Sequence, residues 1–230
     1  MSTPQHWTVL GFDTSGPHIA AALWHGDRVI GQRMVETARG QAEHLMPVLE
    51  QLLSDAGMAW RDLNLLGVGI GPGNFTGVRI AVSAARGLRL SLGIPAFGVS
   101  SFELMRDPEA LGAHAAELVS IEAPRGQGYV QAFRYGAPQS PPELIDPATP
   151  PEAVRLGTDM RVTGFRAAEI AQPFGAEWED RLPEEIGPRL CRIVDWRAHH
   201  LGETPDRPTP LYVRPADAAP PSDPPPVILD

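Results

Sequence analysis

The tripeptide Asp13-Thr14-Ser15 places a carboxylate and two hydroxyls at the end of an apolar run, Trp7–Asp13 (WTVLGFD). Such a set at a strand–turn junction can hold a metal-bound phosphate or a water. It can equally close a hairpin as an Asx- or ST-turn, and spacing alone favours the turn. The second candidate is Gly67–Gly77 (GVGIGPGNFTG), with five glycines and a proline ahead of a helical pattern. Exposed N–H groups at a helix N-terminus attract anions. The segment is neither G-x-x-x-x-G-K-[ST] nor G-x-G-x-x-G, because positions 72, 74 and 76 are Pro, Asn and Thr. Its other reading is a strand-to-helix turn in which glycine permits unusual backbone angles and close packing. Residue types leave these two readings balanced.

Other chemistries are excluded or weak. All 19 basic residues are Arg, so no lysine nucleophile, Schiff base or P-loop lysine exists. There is no G-x-S-x-G and no H-E-x-x-H, and none of the seven His has another His four positions away, so no helical His pair can grip a metal. His199 and His200 point to different sides of a helix. The single Cys191 reads as a small apolar filler rather than a nucleophile, and it excludes an intrachain disulfide and a Cys-rich zinc site. The net charge of −9 argues against a large nucleic-acid surface of the chain's own. No basic and apolar leader opens the sequence and no apolar run suits a membrane span, so a soluble, cytoplasmic protein is expected. The 230 residues allow one large domain or two small ones.

The elements that must position these residues follow from periodicity. Trp7–Asp13, His18–Trp24 and Arg28–Val35 read as strands joined by short turns, which favours antiparallel hairpins. Leu45, Val48, Leu49, Leu52, Leu53 and Ala56 lie on one helical face. Pro47 implies either a start near His44 or a kink. Asn64–Ile70 reads as a buried strand, Val78–Leu92 as a helix, Pro95–Val99 as a strand and Ser101–Arg106 as a helix start. The first hundred residues therefore run β-β-β-α-β-α-β-α. The second half repeats the opening: Glu117–Glu122 ends on an acid, Ala123–Gly128 is a turn, Tyr129–Tyr135 a strand and Glu143–Ile145 a third. Residues 138–151 hold six prolines and read as an exposed loop. Met160–Phe165 reads as a strand, Arg189–His199 as a helix and Leu211–Arg214 as a pairing strand. Beyond Pro215 an extended, poorly ordered tail is expected. Two such halves suggest a duplicated unit with a cleft between them.

The 78–92 helix has two apolar faces: Val78, Ala81, Ala85, Leu88 and Leu92 on one, and the small-residue set Ile80, Ser83, Ala84, Gly87 and Ser91 on the other. A helix of this kind is buried in the core or packs a partner chain, and pattern alone does not decide between them.

GFDTSGPHIAAAL, EHLMPVLEQLL, LLGVGIGPGNFTGVRIAVSAARGL and GIPAFGVSSFE, in that order, resemble the bacterial TsaB (YeaZ) family, most specifically through GPGNFTGVRI. The likeness covers residues 7–105 well, continues weakly through IEAPRGQGYV and ends at PLYVRPADA. It implies an α/β, duplicated ribonuclease-H-like fold of the actin/sugar-kinase/Hsp70 kind, with a reduced second lobe. Expected boundaries are 1–105 for the first lobe, 106–214 for the smaller second lobe and 215–230 for a Pro-rich tail. The resemblance further implies a non-catalytic scaffold in N6-threonylcarbamoyladenosine synthesis at position 37 of ANN-decoding tRNAs. The paralogue TsaD would carry the metal and transfer the group, the ATPase TsaE would join, and tRNA would be met only through the complex. Family members pair through their first two helices, as homodimers or with TsaD. The implied interface is Leu45, Leu49, Leu52, Val78, Ile80, Ala84, Gly87 and Ser91.

Two departures stand out: Asn74 replaces the Ser of GPGSFTG, and EAPRGQGY replaces a turn like DARRGEVY. The family is sometimes labelled an M22 glycoprotease, but these residues supply no protease site and no metal set. The alternative is a nucleotide-dependent phosphotransferase or ATPase. It would use Asp13 and the Gly71–Gly77 loop to bind Mg-ATP, whereas under the scaffold reading no cofactor is required and Asp13, Thr14, Gly71, Gly73 and Thr76 would form a vestigial nucleotide cleft with weak ATP or ADP binding.

Overall fold

The computed structural model describes residues 7–106, 116–150, 160–200 and 205–213. Strand β1 (Thr8–Asp13) is buried along its whole length, since it has a hydrogen-bonded neighbour on each side. It pairs antiparallel with β2 (His18–His25), from Thr8↔His25 to Asp13↔Ala20. On its other side it pairs parallel with β4 (Leu65–Gly69). The hairpin partner of β2 is β3 (Arg28–Glu36) and the parallel partner of β4 is β5 (Ala96–Val99). The order is β3-β2-β1-β4-β5. Helices α1 (Gln41–Asp55), α2 (Phe75–Leu92) and α3 (Ser101–Met105) complete this part, so the β-β-β-α-β-α-β-α expectation matches element for element.

The second sheet repeats the pattern. Strand β6 (Ala116–Glu122) pairs antiparallel with β7 (Gly128–Arg134) and parallel with β10 (Met160–Gly164), which pairs parallel with β11 (Glu177–Asp180). Short strands β8 (Ala137–Pro138) and β9 (Glu143–Ile145) lie on the outer side of β7. An antiparallel hairpin joined to parallel strands, twice over, is the duplicated ribonuclease-H-like architecture expected from the resemblance. The helices of the second half are α4 (Ala167–Ala171) and α5 (Ile186–His200). The five-residue α4 is the short one. Helix α5, although late in the chain, covers the first sheet: Leu190, Cys191 and Val194 pack with Val9, Ala20, Ala22 and Leu65. The opposite face of that sheet carries α1 and α2 in one cluster with Leu10, Phe12, Leu23 and Val68.

Several expectations are corrected. Helix α1 starts at Gln41 and runs through Pro47, so a start near His44 is wrong. Helix α2 starts three residues before Val78, and α5 three before Arg189. No strand forms over Leu211–Val213; the Leu211 amide makes one bond, donating to the Ile70 carbonyl at 2.8 Å, and Arg214 lies outside the described residues, as does the 215–230 tail. Strand β11 and helix α4 escaped the periodicity reading. The EWED strand is an edge strand that buries no face, so its sequence shows no alternation.

Four of the eight expected interface residues are core. Leu45, Leu49, Leu52 and Val78 are at most 2% exposed and face the sheet, so no partner reaches Leu49, Leu52 or Val78 without opening the lobe. The stripe on α1 is a core stripe. The two faces of α2 differ: Val78, Ala81 and Ala85 are buried in the core, whereas Ile80 and Ala84 are half-buried and Gly87 and Ser91 exposed.

Two outcomes follow from this packing. Burial pushes the Cys191 thiol up to about 12, so the native protein should stay unlabelled by a thiol-disulfide reagent at pH 8 and label fully in guanidinium. Leu49→Asp, which buries a charge in a fully buried leucine's place, should cost about 4 kcal/mol or more and prevent folding, read by circular dichroism and thermal denaturation.

Candidate functional site

Asp13 sits at the last position of β1 and is 1% exposed. Its Oδ1 accepts from the Ser15 amide (2.9 Å), the Ser15 hydroxyl (2.9 Å) and His18 Nε2 (2.9 Å). The Asp13–Ser15 pair is an Asx-turn, which satisfies the hairpin's backbone locally. Oδ2 has no hydrogen-bond partner and lies above the Cα of Gly69, where any Cβ would collide with it. Ser15 and His18 converge on one oxygen instead of forming a relay. A serine nucleophile needs the imidazole between itself and the carboxylate, so this cluster does not form a protease triad.

The glycine loop closes directly over the turn. The Thr14 hydroxyl donates to the Gly77 carbonyl (2.6 Å) and the Asn74 amide to the Ser15 carbonyl (2.6 Å). A Cβ on Gly77 would overlap the Thr14 carbonyl oxygen, and one on Gly73 the Ser15 carbonyl oxygen. Gly71 has φ 83, in the region glycine favours. From below, the Ser101 amide donates to the Gly71 carbonyl (2.8 Å) and its hydroxyl to the Pro72 carbonyl (2.8 Å). Two of the loop's amides are thus committed, that of Asn74 to the turn and that of Gly77 to Asn74 Oδ1 at 3.0 Å, which makes Asn74 the N-cap of α2. Asn caps as well as Ser does, so the GPGNFTG departure preserves the function of that position.

The expected cleft residues therefore divide. Asp13, Thr14 and Gly73 meet at the turn, and Gly71 supports the loop against Val78. Thr76 is exposed and lines a different feature, a groove of about 470 Å³ between α1 and α2, with Ala42, Leu45, Met46, Phe75, Arg79, Ile80, Ser83 and Ala84. Of the expected interface set, Leu45, Ile80 and Ala84 line that groove. Sequence reasoning missed Gln41. It follows Gly40 (φ 77) and turns its side chain inward, where Nε2 donates to the carbonyls of Gly16 and His18 (both 2.8 Å). Nothing in a lone Gln before an apolar stripe signals this. Among the described residues, no group of three or more His, Cys, Asp or Glu is placed to hold a metal, and no helix is long and apolar enough to cross a membrane.

A family model, TsaD: tRNA N6-adenosine threonylcarbamoyltransferase, matches residues 35–148. The chain is 38% identical over 130 residues to the tRNA threonylcarbamoyladenosine biosynthesis protein TsaB of Bacillus subtilis, a match covering 56% of each chain. An uncharacterized protein of Mycobacterium tuberculosis is 33% identical over 226 residues, covering 96% of this chain and 98% of that one. The chain belongs to the TsaB (YeaZ) family. Its match spans about half the length of the TsaB relatives from B. subtilis and Escherichia coli. Among solved structures, YeaZ from Pseudomonas aeruginosa superposes with a TM-score of 0.65 at 23% identity, over 90% of this chain and 99% of that one. A second P. aeruginosa protein, described as similar to peptidase YeaZ, gives 0.69 at 24% identity, over 90% and 100%. Both support the shared family fold.

A paired substitution tests the closure of the loop over the turn. Gly77→Ala should destabilise by about 2–4 kcal/mol, because the obstacle is backbone rather than a movable side chain. Gly87→Ala, also in α2 but with open space around its Cβ, should stabilise by up to about 1 kcal/mol. Urea denaturation of both variants distinguishes steric closure from a general intolerance of α2.

Proposed function

We propose that this chain is a non-catalytic subunit of the machinery that makes N6-threonylcarbamoyladenosine in tRNA, docking a TsaD-like transferase through the α1/α2 groove. The observation that carries the reading is family membership together with an apolar groove left open beside the core by those two helices. The Asp13 site supports the non-catalytic part: Oδ1 already accepts three hydrogen bonds from within the hairpin, and the Asn74 and Gly77 amides of the glycine loop serve the turn and the cap. In this reading the chain meets tRNA only through the complex, an ATPase like TsaE joins it, and the chain self-associates when alone. The site is in the cytoplasm, where tRNA is modified.

A second reading rests on one atom. The buried, unpartnered Asp13 Oδ2 is the group that would hold a cation on a nucleotide phosphate, so weak ATP or ADP binding is kept as a subsidiary proposal. Titration with Mg-ATP on wild type and Asp13→Asn tests it, and ATP turnover by the chain alone would favour the phosphotransferase reading.

Light scattering during size-exclusion chromatography, alone and with the TsaD-like protein of the same organism, tests the main reading. A new mixed species is expected, together with threonylcarbamoyl transfer to tRNA only when both proteins are present. Transfer by this chain alone, or no association with or without the TsaE-like protein and nucleotide, would overturn it. Ala84→Arg, at a half-buried position on the groove wall, should leave the melting temperature nearly unchanged and weaken association by about tenfold or more.

A further inference from the structure

The two helices flanking the groove differ in charge. Helix α1 carries Glu43, Glu50 and Asp55 and no Arg; α2 carries Arg79, Arg86 and Arg89 and no acid. Asp55 is paired with Arg33, and Arg86 Nε donates to the Pro208 carbonyl at 2.7 Å. Arg79 stands apart. It is exposed, lines the groove, and has no carboxylate partner among the described residues.

Arg79 is nevertheless held. Its guanidinium carbon lies 3.7 Å from the centre of the Phe75 ring, and its Nε donates to the Tyr212 hydroxyl at 2.8 Å. Phe75 and Tyr212 contact each other with ring centres 5.2 Å apart. Tyr212 is fixed through Leu211, whose amide donates to the Ile70 carbonyl and whose side chain packs with Phe102, Met105, Val119 and Phe133. The rings remain 42% and 45% exposed. An arginine stacked on one face and bonded through Nε has its two Nη groups left over. These form the edge of the planar fork that matches a carboxylate with two parallel bonds. Because the side chain is already ordered, less rotamer freedom is lost on binding.

We propose that Arg79, stacked on Phe75 and held by Tyr212, is a preset carboxylate receptor at the rim of the α1/α2 groove. The partner polypeptide seated there presents an Asp or Glu beside an apolar ridge. This rests on the reading of the groove as the docking face. The apolar lining suits a polypeptide ridge, and the exposed cation supplies the matching charge. The groove's lining holds one arginine on a chain of net charge −9, a poor phosphate-backbone surface, so a protein partner is favoured over RNA. Tyr212 is a positioning residue, acting through Arg79.

The test is the affinity of the TsaD-like protein of the same organism for wild type, Arg79→Lys, Arg79→Ala, Tyr212→Phe and the Arg79→Ala/Tyr212→Phe double variant, at low and high salt. Arg79→Ala should weaken binding by about tenfold or more, and Arg79→Lys by nearly as much, since an ammonium cannot present the fork. Tyr212→Phe keeps the ring and removes the hydroxyl; it should cost about three- to fivefold and nothing further once Arg79 is gone. The losses should shrink at high salt, with melting temperatures unchanged. Lysine binding as well as arginine, or additive losses at 79 and 212, would overturn the proposal. So would an effect confined to self-association, or single-stranded RNA competing for the site while protein binding ignores Arg79. If wild type fails to bind the TsaD-like protein at all, the docking reading of the groove falls and takes this proposal with it. Binding that is insensitive to every variant removes this proposal alone.

Discussion

The contact between two stretches of backbone sets the rest of this molecule. The carbonyl oxygens of Thr14 and Ser15 occupy the space that side chains at 77 and 73 would need. A hydroxyl and an amide bond clamp the same surfaces together. Because the turn belongs to the central hairpin and the loop starts α2, this contact fixes where α2 leaves the sheet. Gln41 does the same for α1, with its amide bonded to the carbonyls of Gly16 in that turn and of His18 at the start of β2. One tetrapeptide turn therefore locates the N-termini of both helices that form the groove. A site built of glycine against carbonyl tolerates little change, and it turns the Asn74 and Gly77 amides toward the protein rather than a ligand.

The fold was largely legible in the sequence, for a physical reason. Strands β1, β2 and β4 read as short unbroken apolar runs because both of their faces are buried, and helices α1 and α2 carry apolar stripes because each buries one side against the sheet. Strand β11 and helix α4 were not legible: one buries almost nothing and the other is little more than a turn. The position of α5 was not legible either. Its apolar face announces a partner surface without saying which sheet supplies it, and the answer depends on glycines far away. Gly11 and Gly67 admit Cys191, Leu190 and Val194 where a Cβ would collide.

The site was legible in parts. Asp13 and the glycine segment were singled out by residue type, and the geometry shows the Asx-turn at the one and the close packing at the other. The interface was harder. An apolar stripe is the same in sequence whether it meets a sheet or another protein, so Leu49 and Val78 were read with Ile80 and Ala84. What separates them is which side of α1 and α2 the sheet occupies. Leu45 belongs to both, as core residue and groove floor.

The exclusive use of arginine has a structural expression. Arg197 donates to the Gly98 carbonyl at 2.9 Å and pairs with Glu103, which itself caps α3 through Ser100, so one guanidinium ties α5 to both β5 and α3. Arg106 bonds Glu117 at 2.6 Å and lies over the Phe133 ring, tying α3 to the second sheet. Arg86 ties α2 to the 205–213 segment. The joins at Arg197 and Arg106 need a planar cation that donates in more than one direction or stacks while it donates, which an ammonium does less well. The chain crosses between its two sheets at α3 and again before α5, and arginine forks hold elements at both crossings. Arg79 uses such an arrangement at the surface instead. Its stacking and Nε bond are of the kind the others use internally, with the remaining edge of the fork turned to the groove.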